Sequence, residues 1–282
     1  MKKFNWGVMA LIALFALSAC FHGDHDDDDD HDDADQNISF KAEVNAEETE
    51  LAGVSAASGL AAAFDFSIDH HEMTLGGSVT ISSGTASTVA IYKAFAGKTS
   101  DTAVINFSDD DGDKTWTIAA GENVNLTHEE VEAFEHGEYY LNIVDSNGND
   151  EMRAQILGAE ARIYTVDLTP NASTASGQAV LTLMNNEGAY VAYVRLQDIT
   201  EAEITGLHIH NRNAGDAVVL GLAVDGTETD LVYKTADAAT PLTHMQIMDL
   251  VNGDFYVNVH MDSSVVLTGD LALHREGGAP HH

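Results

Sequence analysis

Three histidines in the second half of the 282-residue sequence have the residue type and spacing of a metal site. His208 and His210 lie two positions apart in an alternating stretch, so a strand would place both side chains on one face. His260 ends another alternating stretch. Three neutral imidazoles on one face are a normal ligand set for Cu²⁺ or Zn²⁺. We therefore predict a copper or zinc site here, with His274 as a further candidate ligand; the alternative is three ordinary strand histidines.

An internal repeat indicates which elements hold these residues. Residues 126–143 match residues 242–259. In both copies a threonine, Thr127 or Thr243, is followed three residues later by Glu or Gln, which predicts a capping box at the start of a short helix. A glycine then ends the helix, and a strand follows. Two tandem domains of one fold, meeting near residue 160, explain this repeat.

The repeat also separates a functional pattern from a structural one. Ala90, Tyr92 and Val144 occupy, in the first copy, the positions that the three histidines hold in the second. The histidines are thus absent as a set, as expected if they act as one unit. By contrast, His244 has a counterpart beside the other helix cap, His128, and we interpret both as structural.

Alternation of apolar and polar residues predicts strands through most of the chain, for example at Phe64–Ile68 and Tyr140–Ile143. The predicted fold class is all-β, with two tandem β-sandwich-like domains, each with one short capped helix, after a disordered acidic tether. The predicted segments are a signal peptide (1–19), a lipidated cysteine with the tether (20–37), a first, degenerate domain (38–159), a second domain (160–276) and a C-terminal tail (277–282).

The first twenty residues resemble the export signal of a bacterial lipoprotein. Lys2 and Lys3 precede the apolar run Val8–Leu17. As a helix this run spans about 15 Å, too short for a hydrocarbon core of about 30 Å, so it predicts a cleaved signal peptide. The sequence LSAC, which ends at Cys20, resembles the lipobox, in which the cysteine thiol is lipidated. The alternative is an ordinary secretory signal with a chance cysteine.

The residues after Cys20 bear on location and on metal. Phe21 stands where an Asp is associated with inner-membrane retention, so resemblance to that sorting rule implies the outer membrane of the cell envelope. Residues 21–37 contain nine Asp and three His, which predicts an extended, disordered tether. Weak collection of metal ions is an additional role for the tether histidines, His22, His25 and His31.

The charge of the chain restricts its partners. The net charge is −34, and it becomes −36 once Lys2 and Lys3 leave with the signal peptide. Such a surface repels nucleic acid and anionic lipid head groups, and it attracts cations. Cys20 is the only cysteine, so the mature chain forms no internal disulfide. The predicted partners are the membrane, through the lipid on Cys20, and metal cations, and not nucleic acid.

The second copy resembles the CHRD (chordin-type) domain. The matching landmarks, in chain order, are Ser176–Ala179, Gly206–His210, Gly215, Val218–Leu220, the capped helix at Thr243, Gly253–His260 and Leu267–Leu271. This resemblance implies a β-sandwich-like extracellular module. The first copy keeps the same skeleton with an eroded signature, so its membership depends on the internal repeat.

The spacing of His208 and His210 also resembles that of copper–zinc superoxide dismutases. However, the chain lacks a cysteine pair and an evident bridging histidine. Superoxide is an anion, which a chain of this charge repels. We therefore predict a non-enzymatic metal-binding protein, with a structural or adhesion module without metal as the main alternative and a copper enzyme as the third.

An acidic stretch, Asp109–Asp113, resembles a calcium-binding loop. Placing Gly112 at the sixth position of an EF-hand loop puts Phe107 and Ile118 at the first and last ligand positions, where neither can bind calcium. We therefore predict a hairpin turn with at most adventitious affinity for Ca²⁺. The sequence contains no nucleotide-binding glycine motif, serine nucleophile elbow or His-Glu-x-x-His helix.

Overall fold

A computed structural model describes residues 37–278 with short gaps, which are 45, 55, 58, 149–150, 172–173, 227–230, 237–238 and 263. The predicted signal peptide, Cys20 and nearly all of the tether lie outside the described residues, as do residues 279–282. What the sequence predicts for those segments stays a prediction. In the part of the chain that the structure describes, no helix is long and apolar enough to cross a membrane.

The first half of the folded region, residues 38–156, forms one antiparallel sheet. Its described elements are β1 (Ile38–Val44), α1 (Ala46–Leu51), β2 (Ala61–Asp69), β3 (Thr74–Ser83), β4 (Ala86–Lys93), β5 (Ala103–Ser108), β6 (Thr115–Ile118), α2 (His128–Glu135), β7 (Tyr139–Asp145) and β8 (Glu151–Ile156). The strand order is β1-β2-β3-β6-β5-β4-β7-β8. Alternate residues of these strands face a buried core that includes Phe66, Ile68, Leu141 and Ile143, which is why the alternation predicts the strands.

The second half, residues 162–276, forms a second sheet. Its described elements are β9 (Arg162–Pro170), β10 (Ser176–Leu183), β11 (Tyr190–Gln197), a 3₁₀ turn (Glu201–Glu203), β12 (Ile204–Asn211), β13 (Ala217–Gly221), β14 (Ala223–Val224), β15 (Leu231–Lys234), α3 (His244–Val251), β16 (Phe255–Met261), β17 (Ser264–Asp270) and β18 (Ala272–Glu276). The order is β13-β12-β16-β17-β9-β10-β11-β15-β14, and β18 also pairs with β9. A separate core lies inside this sheet and includes Ile209, Val257 and Val259.

The two sheets share one circular strand order. β12, β13, β16 and β17 are arranged as β4, β5, β7 and β8 are. In the second sheet two short strands, β13 and β14, take the place of β5, and only Leu222 separates them. β13 pairs with β12 as β5 pairs with β4, and β14 pairs with β15 as β5 pairs with β6. The second sheet continues through β17 into β9, and in the first sheet β8 lies against β1. The molecule is therefore all-β, as predicted, and each sheet curls almost completely around its own core.

Both predicted helix caps are present. Thr127 N–H donates to Glu130 Oε2 at 2.8 Å and Glu130 N–H donates to Thr127 Oγ1 at 3.2 Å. Thr243 and Gln246 exchange the same two bonds at 2.8 and 3.3 Å. The first half also contains α1, a helix that the sequence analysis missed. With six residues it is shorter than two turns, so it has no periodic pattern to detect.

The two halves meet through apolar and charged contacts. The apolar group is Leu51, Ala96, Leu157, Ala161, Ile163 and Val180. Lys98 Nζ lies 2.7 Å from Asp225 Oδ2, and Arg275 Nη1 lies 2.5 Å from Glu48 Oε1. The chain passes from one sheet to the other between residues 156 and 162. The predicted domain boundary at residues 159/160 implies that each half folds alone, and this stays a prediction.

Candidate metal centre

The pairing of β12 with β16 brings the three histidines together. His208 lies opposite Asn258, His210 lies opposite Tyr256, and His260 lies opposite Gly206. Their neighbours along the strands are apolar and point inward, where they form part of the second core; they are Leu207, Ile209, Val257 and Val259. Because side chains alternate along a strand, the three imidazoles share the outer face of the sheet.

The imidazoles are close enough to share one ion. One ring nitrogen from each of His208, His210 and His260 lies within 4.8 Å of the corresponding atoms of the other two. The ring centroids of His208 and His210 are 5.9 Å apart, and those of His208 and His260 are 5.6 Å apart. All three side chains are half-buried. A cation bound between three such nitrogens is thus partly shielded from water, which strengthens its interaction with each donor.

One nitrogen of this cluster is buried and lacks a hydrogen-bond partner. His210 Nδ1 lies 3.0 Å from the main-chain oxygen of Asp216. A carbonyl oxygen only accepts, so Nδ1 carries the proton and donates it, and Nε2 keeps its lone pair. His210 Nε2 is buried and makes no hydrogen bond within the described residues. Buried polar atoms in native proteins are nearly always satisfied, and an ion that takes this lone pair would satisfy it.

The surroundings favour the neutral, metal-binding form of His208. Burial lowers the pKa of His208 below its usual value, and the proximity of His260 and His210 lowers it further. Both causes penalise the imidazolium, because charge is costly in a partly dry site and beside other imidazoles that can be protonated. A histidine that stays neutral offers the lone pair that a metal needs.

Tyr256 and Arg212 form a stack against the cluster. The Tyr256 ring lies 5.1 Å from that of His210, with 15° between the planes. The Arg212 guanidinium lies 4.7 Å from the centre of the Tyr256 ring and pairs with Asp270. The Tyr256 hydroxyl donates to Asp216 Oδ1 at 3.1 Å. The residue that accepts from His210 therefore also holds the ring that packs on it.

Two glycines leave space around the His208 ring. Gly206 lies opposite His260 and Gly221 lies opposite His208. A Cβ atom at Gly206 would lie only 2.8 Å from His208 Cε1, whereas one at Gly221 would meet nothing within 4 Å. The observed position of the His208 ring thus requires glycine at 206.

The first half has the same pairing without the histidines. Ala90 lies opposite Asn142, Tyr92 lies opposite Tyr140, and Val144 lies opposite Thr88, so the register matches that of β12 and β16. The stack also recurs, because Tyr92 lies on Tyr140 at 5.4 Å and 15°, and the Arg153 guanidinium lies 3.6 Å from the Tyr140 ring centre. The structure therefore places Ala90, Tyr92 and Val144 at the positions equivalent to the histidines.

His274 does not join the cluster, and its prediction as an additional ligand is wrong. Its Nδ1 lies 3.7 Å from Glu47 Oε2, a residue of α1. The cause is the path of β18, which pairs with the first residues of β9, whereas the strand beside the cluster, β17, pairs with the last ones. Cys20 and the tether histidines, His22, His25 and His31, lie outside the described residues.

Two other histidines and one group of carboxylates that the sequence analysis singled out lie at helix starts and in a turn. His128 and His244 are the exposed first residues of α2 and α3. The carboxylates of Asp109, Asp111 and Asp113 also lie close together. They accept main-chain N–H groups of their own turn between β5 and β6, for example from Gly112 at 2.8 Å. This is the hairpin turn that the sequence predicts.

Sequence reasoning missed Asp216 and Tyr256. Tyr256 alternates with His260 on β16, so the same period of two that places His210 beside His208 could have placed Tyr256 on the outer face. Asp216 gives no such signal. It contacts the site because its main chain, in the turn after β12, has a positive φ of 60°. The pattern of apolar and polar residues does not predict that conformation.

The fold and site define a class of protein: an all-β module with a histidine cluster on the outside of one sheet. The family model of the CHRD domain matches residues 163–264, which include all three histidines, Asp216 and Tyr256. CHRD domains are extracellular, non-enzymatic modules of β-sandwich type, and the prediction that the chain is not an enzyme agrees with this match. No curated protein and no solved structure matches the chain.

Proposed function

We propose that the second half binds one copper or zinc ion through His208, His210 and His260. The observation that carries this proposal is the buried lone pair of His210 Nε2 within a cluster of three imidazoles. No carboxylate joins this cluster among the described residues. A set of three neutral nitrogen donors suits Zn²⁺ and Cu²⁺ far better than Ca²⁺ or Mg²⁺, which prefer oxygen.

We also propose that the protein is a lipoprotein of the outer membrane, held by a lipid on Cys20. The apolar run, the sequence LSAC and the absence of other cysteines support the lipid anchor, and Phe21, where an Asp is associated with inner-membrane retention, supports the outer membrane. Residues 21–37 would act as a spacer and bring cations to the site, because they are strongly acidic. Cys20→Ser is expected to move the protein from the membrane to the soluble envelope fraction, and a wild-type protein already soluble there would contradict the anchor.

The first half is, in this proposal, a second CHRD-like domain that has lost the metal site. Two observations support it. The circular strand order is the same in both halves, and the pairing around Ala90 repeats the pairing around His208 residue by residue. The family match itself lies in the second half only.

A second candidate function, an adhesion or structural module without metal, is favoured by the exposed face of α3. Its exposed apolar residues are Met245, Met248 and Val251. The equivalent positions of α2 are Glu129, Glu132 and Glu135. An uncharged face on a chain of net charge −34 is suited to contact with another protein. Metal content separates the two candidates.

The decisive experiment compares metal binding by the full chain and two matched variants. Calorimetric titration with Zn²⁺ should show one more equivalent bound by wild type than by His210→Ala, because two imidazoles alone make a poor site. His244→Ala removes an exposed histidine outside the cluster and should bind as wild type does. The tether is the same in all three proteins, so its own binding cancels. Equal stoichiometry in wild type and His210→Ala would leave the adhesion module as the better candidate.

A further inference from the structure

We propose that Asp216 and Tyr256 position His210 so that it binds the metal through Nε2 and no other atom. This inference rests on the proposed metal site and adds two residues that do not touch the ion. It concerns the ring nitrogen that ligates and what holds that nitrogen in place.

The main-chain carbonyl of Asp216 selects the ligating nitrogen. It accepts the Nδ1 proton of His210 at 3.0 Å, and a nitrogen that carries a proton cannot bind a metal. Metal-binding histidines commonly donate their second N–H to a carbonyl or a carboxylate, which fixes the tautomer and the orientation of the ring. This arrangement is present around His210 with the buried Nε2 left over for the ion.

Asp216 makes its contact with His210 from an unusual backbone conformation. Its φ of 60° lies in the left-handed region, which costs energy for most residues and is tolerated best by Gly, Asn and Asp. The residue makes two contacts in this conformation. Its carbonyl oxygen accepts from His210, and its carboxylate accepts from the Tyr256 hydroxyl at 3.1 Å.

Tyr256 restricts the rotation of the His210 ring. The two rings are nearly parallel at 5.1 Å, and the Arg212 guanidinium covers the Tyr256 ring as well. A ring held flat against a neighbour has fewer orientations to lose when the metal binds, so affinity rises through preorganisation. The first half has a similar stack where no histidine occurs: Tyr92 and Tyr140 hold the positions of His210 and Tyr256, and Arg153, from a different strand than Arg212, covers the Tyr140 ring. The stack is therefore part of the fold, and the second half uses it to hold a ligand.

The test uses the full chain and four variants. Tyr256→Ala removes the ring and Asp216→Ala removes the carboxylate from a position that disfavours alanine. Asp216→Asn retains both an acceptor and the tolerance for positive φ. Tyr140→Ala deletes the matched ring of the first half and serves as the control. Zn²⁺ affinity is measured by competition with a chelator, and long-range ¹H–¹⁵N spectra of the imidazoles identify the ligating nitrogen of His210.

We expect Tyr256→Ala and Asp216→Ala to weaken Zn²⁺ binding by about 10- to 100-fold, the usual effect of removing an outer partner of a metal ligand. Asp216→Asn should restore most of the affinity, and Tyr140→Ala should leave it unchanged. In wild type the spectra should show His210 bound through Nε2 with a proton on Nδ1. In Tyr256→Ala, we expect the spectra to show that His210 no longer binds through Nε2 alone. If the melting temperature of the metal-free protein is unchanged in this variant, the result supports a positioning role for Tyr256.

Two results would overturn the inference, and they differ in what else they overturn. If wild type binds Zn²⁺ through His210 Nδ1, or if all four variants bind as tightly as wild type, Asp216 and Tyr256 do not position the ligand although the metal site stands. If wild type binds no Zn²⁺ beyond the His210→Ala variant, the proposed function fails and this inference fails with it.

Discussion

The outer face beside β7 is covered, whereas the equivalent face beside β16 is open. Tyr140 and Asn142 are buried, and so are Arg153 and Gln155 on the neighbouring strand β8. Their counterparts on β16 and β17 are half-buried or exposed; they are Tyr256, Asn258, Thr268 and Asp270. One sheet architecture thus has the same face covered in the first half and open in the second.

Two segments account for the cover. The loop after β4 accepts hydrogen bonds at 2.7 Å from Arg153, through Lys98 O, and from Gln155, through Ala94 O. The helix α1 covers the other side, where Glu48 accepts from the Gln155 main-chain N–H at 2.5 Å. A metal site needs room for an ion and a path for it, so only the open face can hold one. In the first half, whose face is covered, Ala90, Tyr92 and Val144 stand at the positions of the three histidines.

The largest expected effect, on the free energy of unfolding, comes from removing a contact by which α1 covers the outer face of the first half. Glu48 is buried, and it binds both the Arg275 guanidinium and the Gln155 N–H. Glu48→Ala removes a buried carboxylate from the partly buried Arg275 guanidinium and leaves the Gln155 N–H without its acceptor, which costs about 3–5 kcal/mol in the free energy of unfolding. Chemical denaturation measures this loss.

The control for that change is an exposed ion pair of the same half. Lys41 and Asp65 are more than half exposed, so Lys41→Ala should cost at most about 1 kcal/mol. Zn²⁺ binding by the second half should persist in Glu48→Ala under native conditions. A loss of stability no larger than that of Lys41→Ala would show that α1 is not what holds the first face closed.

The next effect is the stabilisation of the second half by metal. At a free Zn²⁺ concentration one hundred times the Kd, the folded protein should gain about 2.7 kcal/mol, which a thermal melt detects. The gain should disappear as the pH falls below about 6.5, because protons compete for the imidazole lone pairs. The lowered pKa of His208 keeps that ligand neutral to a lower pH than an ordinary histidine.

The lowered pKa of His208 also determines how the stability of the metal-free protein changes with pH. A histidine whose folded-state pKa is depressed takes up its proton more readily in the unfolded chain. Stability should therefore fall as the pH drops from about 6.5 towards the lower pKa of folded His208. His208→Ala should remove that part of the pH dependence. His208 has no counterpart in the first half, where Ala90 stands at the equivalent position. An unchanged pH profile in His208→Ala would contradict this account.

The sequence predicts the parts of this comparison that depend on local periodicity. Alternation places His208 and His210 on one face, and the repeat identifies Ala90 and Tyr92 as their equivalents. The capping boxes are equally local. The adjacency of β12 and β16 is not, because more than forty residues separate them and no local rule sets which strands pair. The misplaced His274 has the same origin, since its position depends on which end of β9 receives β18.

The covered face was beyond sequence reasoning for a related reason. Burial of Arg153 and Gln155 depends on α1 and on the loop after β4, neither of which has a periodic pattern. Charged and amide side chains are usually exposed, so composition alone predicts the opposite. The difference between the halves therefore arises from irregular segments, although the strands themselves are predictable.

The smallest expected effect tests whether the space that Gly206 leaves beside the His208 ring matters for metal binding at the open face. Gly206 corresponds to Thr88 of the first half, so only the histidine-bearing copy has glycine there. Gly206→Ala would place a Cβ 2.8 Å from His208 Cε1 and force the ring to turn. We expect Zn²⁺ affinity to fall by about tenfold, the lower end of the range for a disturbed ligand orientation. Stability should change by less than about 1 kcal/mol, because a side chain that can rotate relieves the contact and alanine suits a strand better than glycine. Gly221→Ala is the matched control, since it adds the same methyl group on the other side of His208 in open space, and it should leave both quantities unchanged. Equal Zn²⁺ affinities in the two variants would show that the position of the His208 ring does not depend on the space at 206.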